Sequence, residues 1–392
     1  MPGGSAPGMK IARVAATPLN VPVVLDAAGI EKKTSLSVCL VEIETDDGLI
    51  GHGFTAITEE EVVAAVVNEV VASNLENENP LAHERIWEKL YWLLSPRGQT
   101  GYASHAIAAV DVALWDLKGK ILGQPVWRLL GAARGRVPVY TTFGIGAYSR
   151  DELAAAAKWW VARGHRRLKM VVGHHALQRR DEPRPVEEVI AEDARRVRAV
   201  RDAVGAEIDL HVDANCSLDA LHAARLARSL EEFGLSLFEE PVKENDISSL
   251  ISLKKSTRIP IAAGQNEGLA WRFRDLIASR AVDIIQPNVV IGGGFTQCMR
   301  IAGMASAFNL PMANGGAWAH HNMHLHAGLA NGGLVEYHYP AVKVCEAIYG
   351  PLPAPVDGWL DLPEAPGLGF EPSKDSIAEL AKLPASRGKG KA

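Results

Sequence analysis

Three side chains, each 26 residues from the last, carry the clearest chemical signal in this chain. Asp213 lies in "HVDAN", Glu239 in "FEEP" and Gln265 in "AAGQNEG". Each follows a short apolar run, so on adjacent strands the three could converge on one point. Oxygen donors of this kind suit Mg²⁺, the cofactor we expect. Each acid alone has a plainer reading as a helix cap or an arginine partner, but equal spacing on successive runs favours convergence. Gln265 keeps an oxygen ligand and removes one negative charge, which predicts weaker metal binding. Asn215 and Glu267, both close in sequence, are further candidates for reaching the ion.

Lys169, in "RLKMVV", shares a strand face with Val171. Pointing inward, it would feel burial and the cation, both lowering its pKa and making it a candidate base. Equally, it could neutralise a ligand carboxylate. Two histidine pairs, His174-His175 and His320-His321, follow strand candidates and are candidate proton-transfer groups on loops. His211 reads as a packed core residue, and His324 and His326 as residues of a helix.

These side chains need strands to aim them. From about residue 137, eight apolar runs alternate with helical stretches: "VPVYTT", "RLKMVV", "EIDLHVDAN", "LSLFEEP", "IPIAAGQ", "VDIIQPN", "LPMANGG" and "LVEYH". Polar residues gather at the C-terminal end of nearly every run. Eight βα units of this kind predict a closed α/β barrel with its chemistry at that end, a doubly wound open sheet being the alternative. Residues 9–55 read as strands, with a hairpin signal at Asp47-Gly48. Residues 59–132 read as helices, among them "SHAIAAVDVALWDLKGKIL", stopped by Gly123 and Pro125. The expected organisation is an α+β capping domain (9–134), a barrel (135–350) and a segment (351–378) that returns to the cap. Residues 1–8 and 385–392 read as flexible tails. The stretches near "LNVPVVLDAAG" and "GHGFT" are expected to be loops closing the barrel mouth and setting selectivity.

With 392 residues, 47% hydrophobic and 22% charged, the composition is that of a globular protein. A net charge of −5 without a basic stripe argues against nucleic acid. No apolar run reaches spanning length, so no membrane partner is expected. Four scattered cysteines without a CxxC, and no signal-peptide pattern, predict a reducing cytoplasm.

"SHAIAAVDVALWDLKGKILGQPVWRLLG", "HVDAN", "FEEP" and "PGLGFEP", in that order along nearly the whole chain, resemble the mandelate racemase subgroup of the enolase superfamily. The resemblance implies a modified (β/α)7β TIM barrel under an N-terminal α+β cap that the C-terminal segment completes. It also implies a Mg²⁺ ion stabilising the enolate formed beside a substrate carboxylate, and a homo-oligomer, from dimer to octamer. It makes Asp213 and Glu239 the first two metal ligands and Gln265 the third, where a glutamate is usual. It makes Lys169 the first lysine of a KxK motif and Glu336 the acid that hydrogen-bonds the substrate carboxylate. The chain is atypical at four positions: Val171 replaces the second lysine, Gln265 the third acid, and Asn288 and Asn314 an aspartate–histidine dyad. Replacing both dyad members avoids a buried, unpaired aspartate. Asn215, Glu240, Glu267, Asn288 and Asn314 are thus expected to bind substrate or support the ligands from behind.

Three functions compete. A Mg²⁺-dependent lyase would remove water from a hydroxy acid such as a sugar acid, using Lys169 or a loop histidine with Glu336. A racemase or epimerase would need a base on each face, which the four departures disfavour. A catalytically silent binding barrel would explain the departures, but not the retention of buried like charges.

Overall fold

The computed structural model describes residues 8–95, 100–173 and 185–385. Three antiparallel strands come first: β1 (Ile11–Ala27), β2 (Ile30–Thr45) and β3 (Ile50–Ala56). Gly48, at φ 86°, turns the chain between β2 and β3. The "LNVPVVLDAAG" stretch is not a loop: it runs along β1 into the hairpin turn before β2, paired residue by residue as far as Ala27–Ile30. Its alternation of valine and leucine buries one face, so the strand continues where a lid was expected. "GHGFT" likewise lies within β3. There the helix Tyr102–Leu122 packs so closely that a Cβ on Gly53 would overlap the Ala109 carbonyl. That helix is apolar almost all round and ends on Gly123 in a left-handed cap, φ 64°.

The barrel strands follow: β4 (Arg136–Gly144), β5 (Arg167–Val171), β6 (Asp209–Asp213), β7 (Leu237–Glu239), β8 (Ile261–Ala263), β9 (Ile284–Ile285) and β10 (Val335–His338). They pair in parallel in that order, and β10 returns to β4. Residues 311–314 fill the gap between β9 and β10. Ile285 N–H donates to Pro311 O at 3.0 Å, Ala313 N–H to Ile285 O at 3.0 Å, and Asn314 N–H to Leu334 O at 2.8 Å. The ring is therefore closed and has no free edge. Helices Arg150–Val161, Val186–Val204, Ala220–Leu230, Ile247–Ser256, Ala270–Ala278, Gly294–Ala307 and Ala319–Gly328 connect the strands.

Strand alternation sorts the two faces. Leu168, Met170, Leu210, Val212 and Phe238 belong to the hydrophobic core, while Lys169, His211, Asp213 and Glu239 occupy the opposite parity. The C-terminal segment does return to the cap. Strand β11 (Trp359–Asp361) first pairs antiparallel with barrel strand β4, and the chain then reaches the cap, where Leu368 N–H donates to Asp116 Oδ1 at 2.7 Å. Among the described residues, no helix is long and apolar enough to cross a membrane.

Candidate active site

The register of β5, β6 and β7 brings the acids together. Val171 stands beside Asp213, and Asp213 beside Glu239. Lys169 lies one pleat deeper, level with His211. Its Nζ rises to Asp213 Oδ2 at 3.1 Å, Glu239 Oε2 at 2.7 Å and Glu336 Oε1 at 2.8 Å. All four side chains are buried. Three carboxylates thus share one ammonium. Burial alone would discharge the lysine, but Asp213, Glu239 and Glu336 outweigh it and raise its pKa well above the ordinary value. Lys169 thus pairs with carboxylates, the alternative that the sequence left open. Burial and the adjoining Asp213 push Glu239 well upward, with Lys169 only partly offsetting them. Glu336 goes the other way. Burial would raise it, but Lys169, His338 and the Thr142 hydroxyl hold it well below the usual carboxylate range. Its second oxygen accepts the Ala317 N–H at 2.7 Å.

Gln265 lies two residues beyond the end of β8. Its Nε2 donates to both oxygens of Asp213, at 3.3 and 3.2 Å, and to Asn215 Oδ1 at 3.2 Å. The turn carrying it is held from behind by buried Glu240. One Glu240 oxygen accepts from Asn245 Nδ2 at 2.9 Å, Asn266 N–H at 3.1 Å and Gly264 N–H at 3.4 Å. Glu267 does not reach the acids. It is turned to Arg272 Nε at 2.9 Å and Asn245 Nδ2 at 3.0 Å, so the guanidinium holds the carboxylate that was a candidate ligand. Asn215 stays at the rim, exposed, with its backbone N–H on Asp213 Oδ1 at 2.8 Å.

The residues fit a hard divalent cation such as Mg²⁺. The buried Glu239 Oε1 has no hydrogen-bond partner. The cluster carries three carboxylates against one ammonium, and every candidate donor is oxygen. A half-turn of the Gln265 terminal amide would present its oxygen to the same point.

The histidines fall elsewhere. His320 and His321 open the helix Ala319–Gly328 rather than lying on a loop. His320 Nε2 is 2.8 Å from Pro353 O, and its ring neighbours are Tyr337 and Phe370. His321 sits edge-on to Phe54, centroids 4.2 Å apart, and to Phe370 at 5.1 Å. Both pack among aromatic rings on a helix, which corrects their placement on a loop. His211 packs beside Tyr140, where burial brings its pKa down to about 3. His174 and His175 lie outside the described residues.

Asn288 and Asn314 both donate to the Gly315 carbonyl. Thr142, Tyr140 and Asn322 were missed in the sequence. Thr142 and Tyr140 share the inward parity of β4, a signal available in "VPVYTT". Asn322, which donates to Asn288 Oδ1 at 3.0 Å, left none, because its helix carries no polar stripe to mark an inward face.

A cap over a closed parallel barrel, with acids converging from successive strand ends, defines a capped barrel with a cation site at its mouth. Residues 9–131 match the family model described as the mandelate racemase / muconate lactonizing enzyme N-terminal domain, and residues 152–376 match the enolase C-terminal domain-like model. The chain belongs to this mandelate racemase / muconate lactonizing enzyme family of the enolase superfamily. It is 29% identical over 354 residues to an arabinonate dehydratase of Saccharolobus solfataricus, covering 88% of this chain and 91% of the relative. It is 30% identical to a 3,6-anhydro-alpha-L-galactonate cycloisomerase of Streptomyces coelicolor, covering 87% and 90%. A solved L-talarate dehydratase from a Polaromonas species, complexed with Mg and L-glucarate, superposes with a TM-score of 0.81 at 31% identity, covering 95% and 97%.

Proposed function

We propose that this chain is a Mg²⁺-dependent carbon–oxygen lyase that dehydrates a hydroxy acid of the sugar-acid class to a 2-keto acid. The observation that carries the reading is the buried cluster itself: Asp213, Glu239 and Glu336 around Lys169, with Glu239 Oε1 unpartnered. A site kept only for packing has no reason to retain that charge deficit. The dehydratase relatives point to the same reaction and substrate class.

Asp213, Glu239 and the Gln265 amide oxygen would hold the cation. When bound, Mg²⁺ supplies Lewis-acid stabilisation of the negative charge that forms when a proton leaves the carbon beside a carboxylate. Lys169 presents a second positive charge to the same side of the pocket. Glu336, fixed by Thr142 and the Ala317 N–H and kept ionised by Lys169, accepts a hydrogen bond from a substrate hydroxyl instead of donating one to the substrate carboxylate, the role that the resemblance implied. Burial of all these groups strengthens their interaction with the developing charge. We assign abstraction of the proton to His174 or His175, the histidines that follow Gly173 directly; the imidazolium so formed protonates the neighbouring carbon's hydroxyl, which leaves as water, and the resulting enol tautomerises to the 2-keto acid. The four cysteines are free, which fits the cytoplasm, and we expect a homo-oligomer.

The cycloisomerase relative favours a second reading, an isomerase that uses the same cation site. A two-base racemase fits less well. The Asn314 amide is spent, its Nδ2 on Gly315 O at 2.8 Å and its Oδ1 on the Glu336 N–H at 3.1 Å.

The test is a panel of aldonic and aldaric acids assayed for 2-keto acid with Mg²⁺ and with excess EDTA. The expected result is keto acid from at least one acid, abolished by EDTA and lost in Asp213→Asn. Solvent deuterium entering recovered substrate without keto acid would replace the lyase by the isomerase. Neither product nor exchange across the panel would leave a binding barrel.

A further inference from the structure

Two asparagines from neighbouring strand ends grip one carbonyl. Asn288 Nδ2 and Asn314 Nδ2 each donate to Gly315 O at 2.8 Å. Asn288 Nδ2 also reaches Gly316 O at 2.9 Å, while its Oδ1 accepts the Val290 N–H at 2.9 Å and Asn322 Nδ2 at 3.0 Å. No aspartate could make this grip, because a carboxylate has no donor to offer a carbonyl. The backbone it restrains is one that L residues seldom adopt. Gly316, Ala317 and Trp318 follow one another at φ 74°, 73° and 65°. Asn322 adds bonds to Ala317 O at 3.3 Å and Trp318 O at 3.2 Å.

The consequence is felt at Gly315. A Cβ on this residue would stand 2.9 Å from Glu239 Oε1, 2.9 Å from Gln286 Nε2 and 3.1 Å from Gln265 Cβ. Its φ is not in the left-handed region, so glycine is required here by what it touches, not by its backbone conformation. The Gly315 backbone is therefore a ceiling resting on two of the three side chains assigned to the cation.

We propose that Asn288 and Asn314 are positioning residues that hold the Gly315 backbone against Glu239 and Gln265, and so fix how these two side chains meet the cation. The proposal rests on the reading that Asp213, Glu239 and Gln265 bind Mg²⁺. It gives the two asparagines a role that needs no proton transfer.

The test is a calorimetric Mg²⁺ titration of the metal-stripped full chain beside Gly315→Ala, Asn288→Ala and Gly303→Ala. Gly303 lies on an exposed helix face, where an added Cβ meets nothing within 4 Å, so its variant controls for the glycine-to-alanine change. Supporting partners of metal ligands are typically worth about 10- to 100-fold in affinity. The expected result is one-to-one binding by the native chain and Gly303→Ala, weakened by about tenfold or more in Gly315→Ala and Asn288→Ala. Melting in EDTA reports the fold separately. A merely structural role would lower the melting temperature and leave Mg²⁺ affinity unchanged, which overturns the proposal while the Mg²⁺ reading stands. No binding by the native chain overturns both. Should Asn288→Ala fail to fold, Asn314→Ala takes its place, because it removes the other donor to Gly315 O.

Discussion

Two acid clusters in this molecule use similar residue types to opposite ends. One is the barrel mouth; the other is the seam where the C-terminal segment meets the cap. At the seam, His52, Asp116 and Glu371 bring ligand-type atoms within 4.8 Å of one another, as a metal site would. Their carboxylate charges are already matched, although His52 Nδ1 makes no well-aligned hydrogen bond. Asp116 accepts the His52 and Leu368 N–H groups at 2.9 and 2.7 Å and Lys120 Nζ at 2.8 Å. Lys120 also meets Glu371 at 2.5 Å, and His52 Nδ1 lies 2.9 Å from the same carboxylate. At the mouth, one ammonium serves three carboxylates and Glu239 Oε1 is left over. A cluster is a candidate for chemistry by the carboxylate charge it leaves unmatched, not by its residue types. The seam is a clasp and the mouth is a site.

The comparison breaks first at Lys169. Removing the ammonium that three buried carboxylates share leaves uncompensated charge, which costs about 3–5 kcal/mol. Lys169→Met should therefore melt far below the native chain in EDTA, and added Mg²⁺ should raise its melting temperature more than it raises the native one. Equal melting in EDTA, with no response to Mg²⁺, would mean that the three acids do not depend on this ammonium. Lys120→Met at the seam should cost much less, because backbone N–H groups still serve Asp116.

Gln265→Glu sharpens the comparison from the other side. A fourth carboxylate should tighten Mg²⁺ binding by about tenfold, or about 1.4 kcal/mol, and should lower the melting temperature in EDTA by adding like charge. Calorimetry and melting must move in opposite directions. Tighter binding with no loss of metal-free stability would place the new carboxylate away from Asp213.

Much of this was legible in the sequence because strand period and spacing carry it. Asp213 and Glu239 close consecutive apolar runs of the same parity, and their register is what the 26-residue spacing implies. The barrel was readable from eight such runs, although "LPMANGG" contributes only bridges and a few backbone bonds. The histidines were not legible. "AWAHHNMHLH" has no polar face, and a histidine in an aromatic core looks in sequence like one on a loop. Only packing against Phe54 and Phe370 separates the two. The asparagines were half legible. Their neutrality was readable from the missing acid, but their shared target, Gly315 O, depends on a three-residue left-handed turn that no local signal announces.

The smallest effect lies at the seam, in the titration of His52. Burial works against its charge, but Glu371 and Glu42 outweigh burial and raise its pKa above the ordinary 6.5. A group whose folded pKa is raised contributes its full stabilisation below the unfolded value and loses it as pH climbs through the folded one. For a partly exposed clasp the contribution is about 1 kcal/mol at most. Melting His52→Gln and the native chain from pH 5.5 to 8.5 should thus give a gap that is widest at the acid end and narrows above neutrality. The mouth is the same in both chains, so whatever titrates there cancels from the gap between them. A gap that stays constant with pH would mean that His52 holds the seam by packing rather than by charge, and the clasp would then rest on Lys120 and the backbone donors of Asp116.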